Sequence, residues 1–170
     1  MDLKAAIRDI PDFPKAGILF RDITTLLMDK KAFKKAVDEL VRKYKNKKIV
    51  KIVAVESRGF ILGGALAHKL GAGFIPVRKK GKLPWKTSSV TYDLEYGTDT
   101  LEIHQDAIKP GERVLIIDDL LATGGTIKAV IDLVKQLQGK IIGVACLIEL
   151  TGLKGKEKIK GYPFFALIKY

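Results

Sequence analysis

Residues 114–126 read VLIIDDLLATGGT, and the fold turns on how this stretch divides. Val114 to Ile117 form a continuous run of aliphatic residues, the pattern of a strand buried on both faces. The run ends in two adjacent carboxylates, Asp118 and Asp119. A bend of small residues follows, Ala122-Thr123-Gly124-Gly125-Thr126. Ile127, Val130, Ile131, Val134 and Leu137 then recur at helical spacing. Strand, turn and helix in this order suit a phosphorylated sugar. Backbone N–H groups at a helix start can cradle a phosphate. The glycines remove side chains where the phosphate must approach, and the threonines add hydroxyl donors. Two acceptor-only carboxylates can take hydrogen bonds from a vicinal diol. Either half alone is explained equally well by a strand end and a capped turn. Together they point to a ribose 5-phosphate group, because neighbouring buried carboxylates repel unless something compensates them.

Outward from this motif, IVKIVAVE (49–56), GFIPV (73–77), RVLIID (113–118), KIIGVACLIEL (140–150) and FFALIKY (164–170) read as strands. Helical spacing appears in Phe33, Ala36, Val37, Leu40, Val41 and Tyr44, again from Phe60 to Leu70, and after the glycine turn, where Gly139 is placed to stop the helix. The alternation predicts an α/β fold, a mostly parallel central sheet flanked by helices. Ligands in such sheets bind beyond the carboxyl ends of the strands. Residues 78–105 break the alternation with a basic loop, RKKGKLPW, and a polar, two-stranded excursion. Long polar insertions of this kind are often functional lids. No repeat, low-complexity tract or linker interrupts the chain, so a single domain over 1–170 is expected.

The composition, 47% hydrophobic and 29% charged, supplies a full core and argues against disorder. The longest apolar stretches are too short to span a bilayer, and MDLKAAIRDIPDF lacks the apolar core of a signal peptide. A cytoplasmic protein without membrane contact is the expectation. Cys146, the one cysteine, lies in an apolar strand pattern and reads as a small buried hydrophobe. No Cys/His cluster suits zinc. The net charge of +12 admits a nucleic-acid surface or a lysine-rich solvated surface. The lysines are scattered, which favours the second, and a polyphosphate substrate would also be drawn to the field. Neither G-x-x-x-x-G-K-[ST] nor G-x-G-x-x-G occurs.

Further groups carry weaker signals. Ser57, Arg58 and Gly59 sit at another strand-to-helix junction, a second anion site built from backbone amides and a guanidinium. Arg78, Lys79, Lys80 and Lys82 suit a multiply charged anion, although a solvated basic loop explains them too. Glu95-Tyr96-Gly97 reads from chemistry alone as the exposed tip of a hairpin. Gly17 to Asp22 reads as a hydrophobic hook with a capping Asp. His68 and His104 read as structural.

The motif at 114–126 is similar to the phosphoribosyl pyrophosphate signature of the type I phosphoribosyltransferases. FPKAGILFRDIT (13–24), ESRGF (56–60), PVRKKGKLP (76–84), LEYGTDTLEIH (94–104) and the lysine-rich stretch near 153 follow the order of the adenine-specific members of that family, so the resemblance spans nearly the whole chain. It implies purine salvage: adenine and phosphoribosyl pyrophosphate giving AMP and pyrophosphate. It implies Mg²⁺ held mainly through the substrate, with no direct protein ligands assigned. Asp118 and Asp119 would act on the ribose, and Ala122, Thr123, Gly124, Gly125 and Thr126 on the 5-phosphate. Ser57, Arg58, Gly59, Arg78, Lys79 and Lys82 would hold pyrophosphate, with a cis Glu56–Ser57 peptide. Lys79 and Lys82 would reach the neighbouring site of a homodimer. Glu95 would accept or orient the purine proton, and Tyr96 would be a contact of a flexible catalytic lid at about 88–100. A small N-terminal hood of about residues 1–30 would carry the base site, with Leu19, Phe20 and Arg21 against adenine. The alternatives are a transferase for another purine, or a nucleic-acid-binding regulator that keeps the fold. The regulator is disfavoured because 170 residues leave no room for a helix-turn-helix extension.

Overall fold

Two aspartates organise the N-terminal residues. Asp22 accepts hydrogen bonds from Arg8 Nη2 (2.7 Å), Arg8 Nε (3.1 Å), Thr24 N (2.9 Å) and Thr24 Oγ1 (2.8 Å). These bonds, that from the Thr24 amide foremost, hold its carboxyl down at about 2. Its stabilisation is present above the ordinary carboxylate range and is lost as pH falls through that depressed value. Asp22 closes a two-stranded antiparallel ribbon, β1 (Arg8–Ile10) and β2 (Phe20–Asp22), and leads into the short helix α1 (Thr24–Met28). Asp29 then starts α2 (Lys30–Tyr44) by accepting from the amides of Lys31 (2.8 Å) and Ala32 (3.0 Å), which have no partner inside the helix. The structure is a computed structural model that describes residues 2–94 and 96–170. These form two units, one through Glu39 and one from Leu40 onward.

The second unit is built on one seven-stranded sheet. Its strands are β3 (Lys51–Val55), β4 (Gly73–Lys79), β5 (Thr87–Asp93), β6 (Thr98–His104), β7 (Arg113–Leu121), β8 (Lys140–Glu149) and β9 (Phe164–Lys169). Their order is β5-β6-β4-β3-β7-β8-β9. The five strands from β4 to β9 run parallel, and β5 and β6 add an antiparallel edge. Helices α3 (Arg58–Leu70) and α4 (Gly125–Gln136) supply the crossovers. Alternation of side chains along each strand decides what they cover. Val53, Val55, Val114 and Ile116 join Ile127, Val130, Ile131 and Val134 of α4 in one core. Ala54 and Ile117 face the other way, against Gly63 of α3. With both faces covered, every second-unit strand of the parallel core reads as a continuous apolar run, which is why the fold class is as the sequence predicts.

The polar excursion forms two antiparallel strands as expected, and β6 pairs with the end of β4, Arg78 opposite Glu102 and Lys79 opposite Leu101, so the hairpin extends the main sheet. Two local features differ from the sequence reading. Strand β7 runs three residues beyond the predicted end, through both acids to Leu121. Helix α4 stops at Gln136, and the left-handed residue is Gln138 (φ 61°), not Gly139. Gly139 N–H donates to Val134 O at 3.0 Å, completing a C-terminal cap. Its own requirement is space, since a Cβ there would lie 2.7 Å from Val134 Cγ1 and 3.1 Å from Ile108 Cγ2.

Gly139→Ala should therefore lower stability by about 1–3 kcal/mol through overpacking. Urea unfolding checks this; an unchanged midpoint would show that the α4–β7 contact is slack.

Candidate active site

The site opens where two neighbours of β7 end at different heights. Pairing with β3 stops at Ala54 opposite Ile117. Pairing with β8 continues, Asp118 opposite Cys146 and Leu121 opposite Glu149. Asp118 and Asp119 are thus held firmly in a strand on one side and released to a crevice on the other. Both are buried, at 8% and 7% exposure. Asp118 Oδ1 accepts from the Asp119 amide at 2.8 Å. Asp119 Oδ2 accepts from Arg58 Nε at 2.5 Å, a charge-assisted bond from the first residue of α3. Burial, and then the charge of Asp119, push the Asp118 carboxyl well above its usual range. Gly59 lets α3 approach this closely, for a Cβ there would sit 2.9 Å from Asp118 Oδ1. Cys146 behind the acids is a buried free thiol, raised by burial first and by the two carboxylates next.

The turn after β7 completes the crevice. Gly124 adopts φ 86°, a left-handed conformation, and any Cβ would lie 2.5 Å from Gly155 O. Gly124 is therefore bound to be glycine on two counts. Gly125 is different: its Cβ direction points at the Tyr92 ring, 3.6 Å away, in ordinary contact. The sequence reading gave the two glycines one role, and the backbone separates them. The first hydrogen bond of α4 runs from Lys128 N to Gly124 O, so the amides of Gly125, Thr126 and Ile127 precede any intrahelical acceptor. The acids, Arg58, Glu56 and residues 120–127 line one cavity of about 250 Å³. It has the charge pattern expected for a phosphorylated sugar: helix-start amides at one end and paired acids at the other.

The remaining predicted residues fall elsewhere. The Glu56–Ser57 peptide is cis, and Ser57 precedes α3. Arg78, Lys79 and Lys82 do not line the cavity, but two of them are tied to it through Glu56. Glu56 Oε1 accepts from the Lys79 amide at 2.7 Å and lies 3.4 Å from Arg78 Nε, while Glu56 Oε2 accepts a long hydrogen bond from Arg78 Nη2 at 3.5 Å. The Lys79 ammonium pairs with Asp99 Oδ2 at 3.2 Å, and that bond raises its pKa. Lys82 and Tyr96 are exposed, Tyr96 at 80%. Glu95 lies outside the described residues. Leu19, Phe20 and Arg21 belong to the first unit. Leu19 is exposed before β2, Phe20 meets Phe13 edge-on at 5.1 Å between centroids, and Arg21 pairs with Asp9.

Three contributors were missed from sequence. Glu56 stood in the motif, but its hold on residues 78 and 79 needs the parallel pairing of β3 and β4. Gly155 packs against the turn across 31 positions, with its Cβ direction 2.3 Å from Ala122 O. Only the glycine among lysines could have hinted at it. Tyr92 reaches the turn from the hairpin, its Oη 3.4 Å from Thr126 Oγ1.

Comparison with known proteins agrees with this geometry. Residues 24–168 match the phosphoribosyl transferase domain family. Adenine phosphoribosyltransferase of Brachyspira hyodysenteriae is 60% identical over 170 residues, covering 100% of both chains. The crystal structure of adenine phosphoribosyltransferase from Thermoanaerobacter pseudethanolicus superposes with a TM-score of 0.96 at 53% identity, covering 99% of this chain and 98% of that one. The Saccharomyces cerevisiae enzyme, complexed with an imino-altritol bisphosphate and adenine, superposes at 0.92 with 43% identity, covering 97% and 96%. By its sequence over its full length, its sheet order and its acid-and-glycine crevice, the chain belongs to the adenine phosphoribosyltransferase family of the type I phosphoribosyltransferases.

Proposed function

We propose that this protein transfers the 5-phosphoribosyl group from phosphoribosyl pyrophosphate to adenine, releasing AMP and pyrophosphate in purine salvage. The observation that carries the reading is the single crevice in which buried Asp118 and Asp119 stand beside the open amides of α4. In the reaction N9 of adenine bonds to ribose C1, the bond from C1 to the pyrophosphate oxygen breaks, and the N9 proton leaves. Positive charge develops on the sugar as that bond stretches. Asp118 and Asp119 accept from the ribose hydroxyls and place negative potential beside the charge, in a site where burial strengthens it. The amides and hydroxyls of residues 122–126 fix the 5-phosphate, so C1 is presented in one orientation. Arg58, with Ser57 and Gly59, takes the pyrophosphate, supported by Arg78, Lys79 and Lys82. Glu95 accepts or orients the proton of adenine, Tyr96 helps the hairpin tip exclude water, and Leu19, Phe20 and Arg21 read the base.

Mg²⁺ fits this chemistry. One or two carboxylates plus substrate oxygens are a common set for that ion. The ion would be held mainly through substrate oxygens, with Asp118 and Asp119 as carboxylates available in the crevice, and no group of three or more candidate ligands occurs among the described residues. When bound, the ion neutralises charge on the diphosphate. A homodimer accords with the large apolar side chains left exposed on α3 and β4, Ile61 and Phe74. No helix among the described residues is long and apolar enough to cross a membrane.

Incubating the protein with phosphoribosyl pyrophosphate, Mg²⁺ and a panel of bases should yield AMP from adenine and little product from hypoxanthine or xanthine. A preference for either of those bases, or nucleic-acid binding without turnover, would overturn the reading. Asp118→Asn should cut turnover by about a hundredfold or more while stabilising the fold. The sign follows from its raised carboxyl. The folded state binds this proton more tightly than the unfolded chain, so stability falls as pH rises from the ordinary carboxylate range through the raised value. The variant should melt higher than the parent at neutral pH and no higher below that range; a lower midpoint at neutral pH would contradict the assignment. Gly124→Ala should destabilise by more than about 1–2 kcal/mol, the left-handed penalty alone, and abolish ribose 5-phosphate binding in calorimetry.

A further inference from the structure

Tyr92 belongs to the hairpin, yet it touches the turn proposed for the 5-phosphate. It lies on β5, three residues before Glu95, and is half-buried against the core that contains α4. Its ring lies against Gly125, 3.6 Å from the position a Cβ would take, and Asp93 O lies 3.9 Å from the same point. Its hydroxyl oxygen is 3.4 Å from Thr126 Oγ1. That distance is longer than a full-strength hydroxyl hydrogen bond, so the contact has room to tighten. Thr126 lies in the first turn of α4, and its hydroxyl can serve one donor and one acceptor together.

We infer that Tyr92 is a positioning residue that couples an occupied phosphate turn to docking of the hairpin. The inference rests on the reading of residues 122–126 as the phosphate site. With a phosphate present, the Thr126 hydroxyl donates to a phosphate oxygen, and its lone pair accepts from Tyr92 Oη. Each bond in such a chain polarises the next, so the phosphate strengthens the Tyr92–Thr126 contact. Strand β5 is then held firmly against the first turn of α4. By reciprocity, a docked hairpin tightens binding of the phosphate by the same factor. Pyrophosphate held at Arg58, the place proposed for it, makes no bond to Thr126 and is indifferent to Tyr92. The ring contact at Gly125 is independent of the hydroxyl, so the two can be separated by substitution.

Calorimetry with ribose 5-phosphate and with inorganic pyrophosphate, on the parent and on Tyr92→Phe, tests the coupling. The phenylalanine keeps the ring on Gly125 and removes the hydroxyl. Its affinity for ribose 5-phosphate should fall about 3- to 10-fold, the range of one hydrogen bond, with pyrophosphate affinity and melting midpoint unchanged. In turnover, KM for phosphoribosyl pyrophosphate should rise more than kcat falls. Combining Tyr92→Phe with Thr126→Val should weaken ribose 5-phosphate no further than Thr126→Val alone. Equal affinities for parent and Tyr92→Phe, a parallel loss for pyrophosphate, or additive losses in the double variant would each overturn the inference. A parent protein that failed to bind ribose 5-phosphate would instead remove the phosphate-site reading beneath it.

Discussion

Two carboxylates held side by side in a buried strand are the constraint around which the second unit is arranged. In isolation the Asp118–Asp119 pair opposes folding, through desolvation and mutual repulsion. Arg58 donates to Asp119 and its charge also favours ionised Asp118, while the Asp119 amide donates to Asp118. Under the proposed function, the hydroxyls of a sugar diol would donate to this pair and relieve that cost. The site is thus unfavourable for stability and favourable for a ligand, the usual trade at a functional position.

The sheet makes this pair possible. Because β8 accompanies β7 to Leu121 while β3 has already ended, the acids are rigid on one edge and open on the other. The same mismatch places α4's first turn beside them. Gly59 and Gly124 then bring α3 and the 155 segment into contact with the acids and the turn at distances no side chain would allow. Pre-organisation here is a matter of strand length and of two missing methyl groups.

Much of this was legible in the linear sequence. The continuous aliphatic runs named the parallel strands, since burial on both faces removes alternation. The adjacency of two acids before a glycine turn pointed to the residues that line the crevice. The rest depended on register. That β7 continues past Asp119 is set by β8, and no local pattern in DDLLATGG distinguishes strand from loop. Gly124 and Gly125 look alike in sequence, and only the backbone shows one left-handed against Gly155 and the other beneath Tyr92. Gly139 looked like a helix stop, yet Gln138 takes the left-handed position and Gly139 is there because Val134 leaves no space for a Cβ. Contacts such as Glu56 with Lys79 join residues far apart in the chain through strand pairing, which composition and spacing do not record.

The central claim is that the paired acids and the bend after them clasp one phosphorylated pentose. A crystal structure of the protein soaked with ribose 5-phosphate tests it most directly. The account predicts the phosphate on the amides of Gly125, Thr126 and Ile127 and the ring hydroxyls on Asp118 and Asp119. A well-ordered ribose 5-phosphate bound at another place, with this crevice empty, would contradict it.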